Sequence, residues 1–166
     1  HYLELLEDRR AAEALAVPGV AVDSAELEAA GLPATASEAL LRTSALQPIT
    51  DARVTDEAVD ADVTHVTVEY RAGGYDGRTR FAIRQDGWTG VVPRWRFDVS
   101  PLAVVDLTVR GSMRFSVNGF EVDKRQVSID GVDADPTAAL PLLVFSPGLY
   151  SVAVDTAISA TPGVAI

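Results

Sequence analysis

The sequence contains no cysteine and only two histidines. The absence of thiols excludes disulfide bridges, thiolate zinc sites and cysteine nucleophiles. Because His1 is the first residue, a charge-relay hydrolase would have only His65 as its internal base. The composition therefore argues against nucleophilic catalysis.

Positive charge is also scarce. Lys124 is the one lysine among 14 basic residues, and 24 acidic residues give a net charge of −10. A field of this sign repels nucleic acid and anionic lipid headgroups. No glycine-rich loop carries the Lys-Ser/Thr step of a phosphate-binding motif. We predict no nucleic-acid partner and no cofactor.

Long hydrophobic runs are missing too. No stretch of about 18 apolar residues occurs, so the sequence predicts no membrane span. The chain begins with His1 rather than methionine, which is typical of an excised or processed fragment. We expect any membrane contact to be made through an anchor that lies before His1.

Helical spacing is present in the first 45 residues. Tyr2, Leu5 and Leu6 begin an apolar stripe. Two segments with capping-box spacing follow, Asp23-x-x-Glu26 and Thr35-x-x-Glu38. These patterns predict short helices that pack on a sheet.

The pattern changes to a period of two from Ile49. Alternation predicts two strands joined at Gly73-Gly74 and then a turn at Asp86-Gly87. In the strand after that turn, Trp95 and Phe97 are predicted to face inward.

A second series of strands is predicted at 102–110, 113–117, 120–129 and 140–159. Asn118-Gly119 predicts a type I′ hairpin turn, since both central residues of that turn need positive φ. Pro147-Gly148 predicts another turn, and Asp130–Pro136 predicts a loop.

The order of these elements resembles two known families. Helices followed by a strand meander, with an Asp-Gly turn before a tryptophan-bearing strand, resemble the nuclear-transport-factor-2-like cone fold over about residues 1–100. Val117-Asn118-Gly119 and Phe145-Ser146-Pro147-Gly148-Leu149-Tyr150 lie in a stretch that resembles PEGA domains, small β-modules on the outer side of bacterial membranes. With Arg94-Trp95-Arg96-Phe97 between them, the layout is similar to the extracytoplasmic halves of actinobacterial membrane-anchored proteins of unassigned role. Related layouts occur in zinc-ribbon membrane proteins linked to cell-wall antibiotic response, but no such ribbon is present here.

These resemblances imply an α+β fold in two modules. In residues 1–100, N-terminal helices would pack on a curved, cone-like antiparallel sheet. In residues 101–166, a small all-β, sandwich-like module would follow. The resemblances also imply an extracytoplasmic location at the bacterial cell membrane.

Candidate catalytic and metal residues are few. His65 lies with Thr67 and Glu69 on the polar side of its strand, so alternation favours a solvated histidine over a general base in a cavity. The run Asp130–Asp135 superficially suggests a calcium loop, but its glycine and final glutamate are out of register. We therefore predict no catalytic residue and no metal site.

Aromatic residues indicate the one candidate ligand site. Tyr75, Trp88, Arg94 and Trp95 would line an aromatic groove for a glycan or a peptide. The alternative interpretation places Trp95 in the core and Trp88 over a turn.

Three functions follow from these patterns. The first is a non-catalytic binding or scaffolding domain of a cell-envelope protein, with a cell-wall or protein partner. The alternative is a small-molecule-binding or isomerase-type enzyme, which needs a cone cavity with a buried carboxylate or an inward-facing His65. The third is a passive stalk without a pocket or a patch.

Overall fold

The computed structural model describes residues 1–154 of the chain. The helices within this range are α1 (Tyr2–Glu7), α2 (Ala11–Leu15), α3 (Ser24–Ala29) and α4 (Lys124–Val127), with 3-10 turns at Thr43–Ala45 and Gly131–Asp133. The strands are β1 (Ile49–Asp60), β2 (Val63–Ala72), β3 (Tyr75–Thr89), β4 (Val92–Phe97), β5 (Ala103–Leu107), β6 (Arg114–Val117), β7 (Phe120–Asp123), β8 (Leu140–Val144) and β9 (Val152–Ala153). They form three antiparallel sheets with the orders β1-β2-β3-β4, β5-β8 and β7-β6-β9.

The predicted α+β fold, with helices packed on a cone-like sheet, is wrong. The described chain is 42% strand and 18% helix, and its helices are small. The six residues of α1 extend over about 9 Å, whereas the 15 residues of β3 extend over about 50 Å. α1 supplies three buried side chains to the core, Tyr2, Leu5 and Leu6, but a helix of this length cannot form a layer over the sheet.

Local sequence explains why the N-terminal helices are short. Arg9, between α1 and α2, has a φ of +58°, and Pro18-Gly19 follows α2. The capping box of α3 is confirmed, because Asp23 accepts from the Glu26 N–H and Glu26 accepts from the Asp23 N–H, both at 2.8 Å.

The second predicted capping box, at Thr35, starts no helix. Its segment is irregular, with turns at residues 34–35 and 39–40, and Ser37 forms a parallel bridge with Leu142 of β8. Ser37 N donates to Pro141 O and Leu143 N donates to Ser37 O, each at 2.9 Å. A residue from the first third of the chain therefore extends the sheet that β8 shares with β5.

The predicted β2–β3 hairpin is confirmed. Val66 lies opposite Phe81 and Glu69 lies opposite Arg78. Val68 and Phe81 are buried, and the sheet therefore uses this face for the core.

The predicted turn at Asp86-Gly87 is wrong. β3 continues through these residues, and the pairing with β4 shifts register between Gln85 and Trp88. Gly87 has a φ of +77°, so the pair forms a β-bulge. The chain reverses instead at Gly90-Val91 and places Trp88 near the tip of the hairpin.

The Asn-Gly turn is confirmed. Asn118 and Gly119 have φ values of +50° and +83° and join β6 to β7, as a type I′ turn requires. The strand predicted over 120–129 ends at Asp123, because its carboxylate caps α4 by accepting from the Arg125 N–H at 3.0 Å.

The last predicted strand, 140–159 with a break at Pro147-Gly148, is confirmed in two pieces, β8 (Leu140–Val144) and β9 (Val152–Ala153). The chain bends at Ser146-Pro147, next to the predicted turn, and β9 is a pair of residues bonded to β6. The predicted strand positions 155–159 lie outside the described residues.

Two apolar clusters form the core. The first includes Tyr2, Phe81, Phe97 and Phe145, and the second includes Leu40, Phe115 and Leu142. Each cluster therefore takes side chains from both sides of residue 100. The division into modules 1–100 and 101–166 stays a prediction.

Candidate functional site

The candidate site lies on the face of the four-stranded sheet that also forms the first cluster. Residues that lie directly opposite one another in an antiparallel pair point to the same face. Phe97 lies opposite Ile83, is 7% exposed and contacts the edge of the Tyr2 ring at a centroid distance of 5.1 Å. Trp95 precedes Phe97 by two residues, so it continues the same face.

This face is uncovered towards the β3–β4 turn. Trp88 is 61% exposed and Trp95 is 47% exposed. Val59, opposite Thr64 at this end of the sheet and on the same face, is 74% exposed. The short helices α1 and α2 cover only part of the length of these strands. The interpretation that places Trp95 in the core is therefore wrong, although its predicted face is correct.

We call Gln85, Trp88, Pro93 and Trp95 the indole platform. Trp88 lies opposite Pro93 and Gln85 lies opposite Trp95, so all four residues share one face. The two tryptophans are diagonal neighbours on adjacent strands, with Cα atoms about 7–8 Å apart. The platform places two exposed indoles side by side on a sheet.

Tyr75 and Arg94 do not belong to the platform. Tyr75 begins β3 and lies about 40 Å from Trp88 near the other end. Arg94 directly precedes Trp95 on β4, so it points to the opposite face, where its Nε donates to Asp86 O at 3.1 Å. Of the four residues predicted to form a groove, the structure brings Trp88 and Trp95 together.

Sequence reasoning missed Gln85 and Pro93. Their positions depend on the bulge at Gly87, which sets the register of β4 against β3. The sequence indicated this bulge only through Asp86-Gly87, because glycine adopts positive φ readily. The same pair of residues is equally typical of a turn.

The free edge of β4 offers little backbone for strand pairing. Phe97 N donates to Pro18 O at 2.9 Å, outside the sheet. Since N–H directions alternate along a strand, Pro93 and Trp95 have their backbone nitrogens on this same edge. Pro93 has no N–H. At the platform, the Trp95 N–H is thus the one donor of β4 that faces this edge.

The opposite face of the sheet is polar. Glu69 accepts from Arg78 at 2.7 Å and from Arg53 at 3.0 Å, and these hydrogen bonds lower the pKa of Glu69. His65 lies between Ala58 and Ala82 on this face, as alternation predicted. His65 therefore points away from the first cluster.

A cavity of about 510 Å³ opens between α3 and the chain that follows β4. Its apolar lining includes Leu27, Leu102 and Leu143. Its carboxylates are already engaged, since Glu26 belongs to the capping box and Asp98 binds Arg84 at 2.6 Å. The cavity lies beside the sheet rather than inside a cone.

Lys124 is the only buried charged side chain among residues 1–154. Its Nζ donates to the backbone oxygens of Val109 and Pro136. Burial lowers the pKa of Lys124. The ammonium group therefore ties the loop before β8 to the segment after β5.

No family model, curated protein or solved structure matches the chain. In the part of the chain that the structure describes, no group of three or more acidic or histidine side chains is arranged to hold a metal ion. No helix of the described range is long and apolar enough to cross a membrane.

Proposed function

We propose that this chain is a non-catalytic binding or scaffolding domain of an extracytoplasmic, membrane-anchored protein of the bacterial cell envelope. The observation that carries the binding role is the pair of exposed indoles, Trp88 and Trp95, on an uncovered end of the core face. The envelope location is supported by the resemblance of the sequence layout to extracytoplasmic modules.

Exposed tryptophans on one face support binding for an energetic reason. Aromatic side chains bring the largest apolar area of any residue, and leaving them in water forgoes much of the stabilisation that burial would give. Both tryptophans of the chain are in this position. Exposed apolar patches of this kind mark interaction sites on protein surfaces.

The isomerase-type alternative has less support from the described residues. Tyr2, Phe81 and Phe97 pack edge to face, with ring centroids 5.1–6.0 Å apart, and fill the space under the sheet. His65 points to the other face. A filled interior with exposed aromatics favours a binding surface over a reaction cavity.

Sedimentation with purified bacterial cell envelopes tests the proposal. The wild-type protein is expected to sediment with the envelopes, and the double variant Trp88→Ala/Trp95→Ala is expected to stay in the supernatant. Tyr75→Ala, an exposed aromatic at the far end of β3, is the matched control and should sediment like the wild type. Equal sedimentation of all three proteins would refute a role for the platform. Turnover in an isomerase screen that disappears in His65→Ala would favour the enzyme.

A further inference from the structure

We infer that the indole platform binds a neutral polysaccharide chain, whose sugar rings stack on Trp88 and Trp95. This inference rests on the proposed function and specifies its ligand class. It also replaces the four-residue groove expected from the sequence with the set Gln85, Trp88, Pro93 and Trp95.

Charge favours a neutral ligand. The hairpin segment 85–95 contains one acidic and one basic residue, Asp86 and Arg94, and their formal charges cancel. The rest of the protein supplies the net charge of −10, which repels polyanions at long range. A neutral polymer meets neither repulsion nor the cost of removing its own charge from water.

Shape favours an extended ligand. The platform lies on the open end of a sheet, whereas small molecules are usually enclosed in concave pockets. A peptide that adds a strand would need a row of backbone donors and acceptors at the sheet edge. Pro93 removes one donor there and Phe97 N is already bonded to Pro18 O. Ligand recognition at the platform therefore depends on the side chains rather than on the backbone of the sheet edge.

The chemistry of a sugar ring matches these side chains. A pyranose ring presents an apolar C–H face and a rim of hydroxyl groups. The flat indoles of Trp88 and Trp95 suit the apolar faces of neighbouring rings. The exposed amide of Gln85, opposite Trp95, offers both a donor and acceptors for the hydroxyl rim.

Tryptophan fluorescence tests the inference directly, because the two tryptophans of the chain are both in the platform. The probes are the neutral oligosaccharides chitohexaose and cellohexaose, an oligogalacturonate of the same length, and a random hexapeptide pool. We expect a saturable emission change with a neutral hexasaccharide and none with the oligogalacturonate or the peptides. The affinity should be the same at about 0.05 M and 0.5 M NaCl, since screening does not act on a neutral ligand.

Single variants identify the contacts. Trp88→Ala and Trp95→Ala should each weaken the neutral hexasaccharide at least about tenfold, and Gln85→Ala about fivefold. Tyr75→Ala should bind as the wild type does. Circular dichroism and thermal melting verify that each variant is folded.

The outcomes separate the inference from the proposed function. Absence of any fluorescence response to the neutral hexasaccharides overturns the inference that the ligand is a neutral polysaccharide. An equal response to oligogalacturonate or to the peptide pool overturns it as well. If envelope sedimentation is still lost in the tryptophan variants, the proposed binding role survives that result. If the tryptophan variants also sediment normally, both fail.

Discussion

Substitution of Asn118 should destabilise the protein more than its position in a surface turn suggests. Its Nδ2 donates to Ala45 O at 2.9 Å and to Leu149 O at 2.8 Å, and its Oδ1 accepts from Ser151 N at 2.9 Å. The side chain thus joins the β6–β7 turn to two distant segments of the chain, around Ala45 and around Ser151.

The magnitude follows from these contacts. Each hydrogen bond contributes about 1 kcal/mol net, and alanine at a φ of +50° costs about 1 kcal/mol more than asparagine, which tolerates this region. Asn118→Ala should therefore lower the free energy of unfolding by about 4 kcal/mol, a large part of the usual 5–15 kcal/mol. At about 2–4 °C per kcal/mol, the melting temperature should fall by about 10 °C.

Two matched variants separate strain from hydrogen bonding. Gly119 has a φ of +83° and open space where a Cβ would lie. Gly119→Ala should therefore lower the free energy of unfolding only by the backbone strain, about 1–2 kcal/mol. Asn118→Gly keeps the turn geometry and loses the hydrogen bonds, so it should cost about 3 kcal/mol. Urea unfolding followed by circular dichroism measures all three. If Asn118→Ala costs no more than Gly119→Ala, the hydrogen bonds have no net value and the reasoning is refuted.

Three further outcomes are expected. Lys124→Met should lower the free energy of unfolding by about 2–3 kcal/mol, because the buried Val109 carbonyl and the partly buried Pro136 carbonyl lose their donor. A variant as stable as the wild type in urea would contradict this. An amine-acylating reagent should label the native wild type only at its terminal amine, as mass spectrometry would show. Hydrogen bonds from Arg78 and Arg53 lower the pKa of Glu69 in the folded protein, so the stability that Glu69 contributes is complete above its unfolded pKa and is lost as pH falls through its folded pKa. The difference in unfolding free energy between wild type and Glu69→Gln should therefore shrink on acidification from about pH 6 to pH 3. A constant difference would refute the assignment. Trp88→Ala should change stability by less than about 0.5 kcal/mol, whereas Phe97→Ala should cost about 3–5 kcal/mol, and similar thermal shifts for both would show that the platform is part of the core.

Local sequence patterns were sufficient to predict the structure at positions where a residue type strongly favours one backbone conformation. Asn118-Gly119 adopts the turn that its tolerance of positive φ predicts, and Val66 and Val68 face the core side as alternation predicts. The capping box at Asp23 forms for the same reason, since both hydrogen bonds lie within four residues.

The helical part could not be predicted from spacing alone. A helix of five or six residues has too few hydrogen bonds to offset its nucleation, so its existence and length depend on packing partners. Thr35 has the spacing of a capping box, but Ser37 nearby gains two backbone hydrogen bonds from β8, which lies far along the chain. That competition is absent from any local window of sequence.

The candidate site shows a related limit. Alternation correctly assigns Trp95 to the face of Phe97, yet it cannot tell how far α1 and α2 extend over that face. The Asp86-Gly87 step suits both a turn and a bulge, because both need a glycine with positive φ. The indole platform could therefore be identified only from the strand register and from how far the helices cover the sheet, and both are properties of the folded protein.

The bridge between Ser37 and β8 has a consequence for synthesis on the ribosome. The segment around Ser37 and Leu40 leaves the exit tunnel about 100 residues before Leu142, its partner in the sheet. At a translation rate of about 5–20 residues per second, this segment waits about 5–20 s without its partner. During that interval Leu40 has no finished core to enter, so its apolar side chain stays exposed until β8 has been made. Slower translation lengthens this exposure, and synonymous codon changes between residues 40 and 140 should therefore alter the yield of folded protein without altering its sequence.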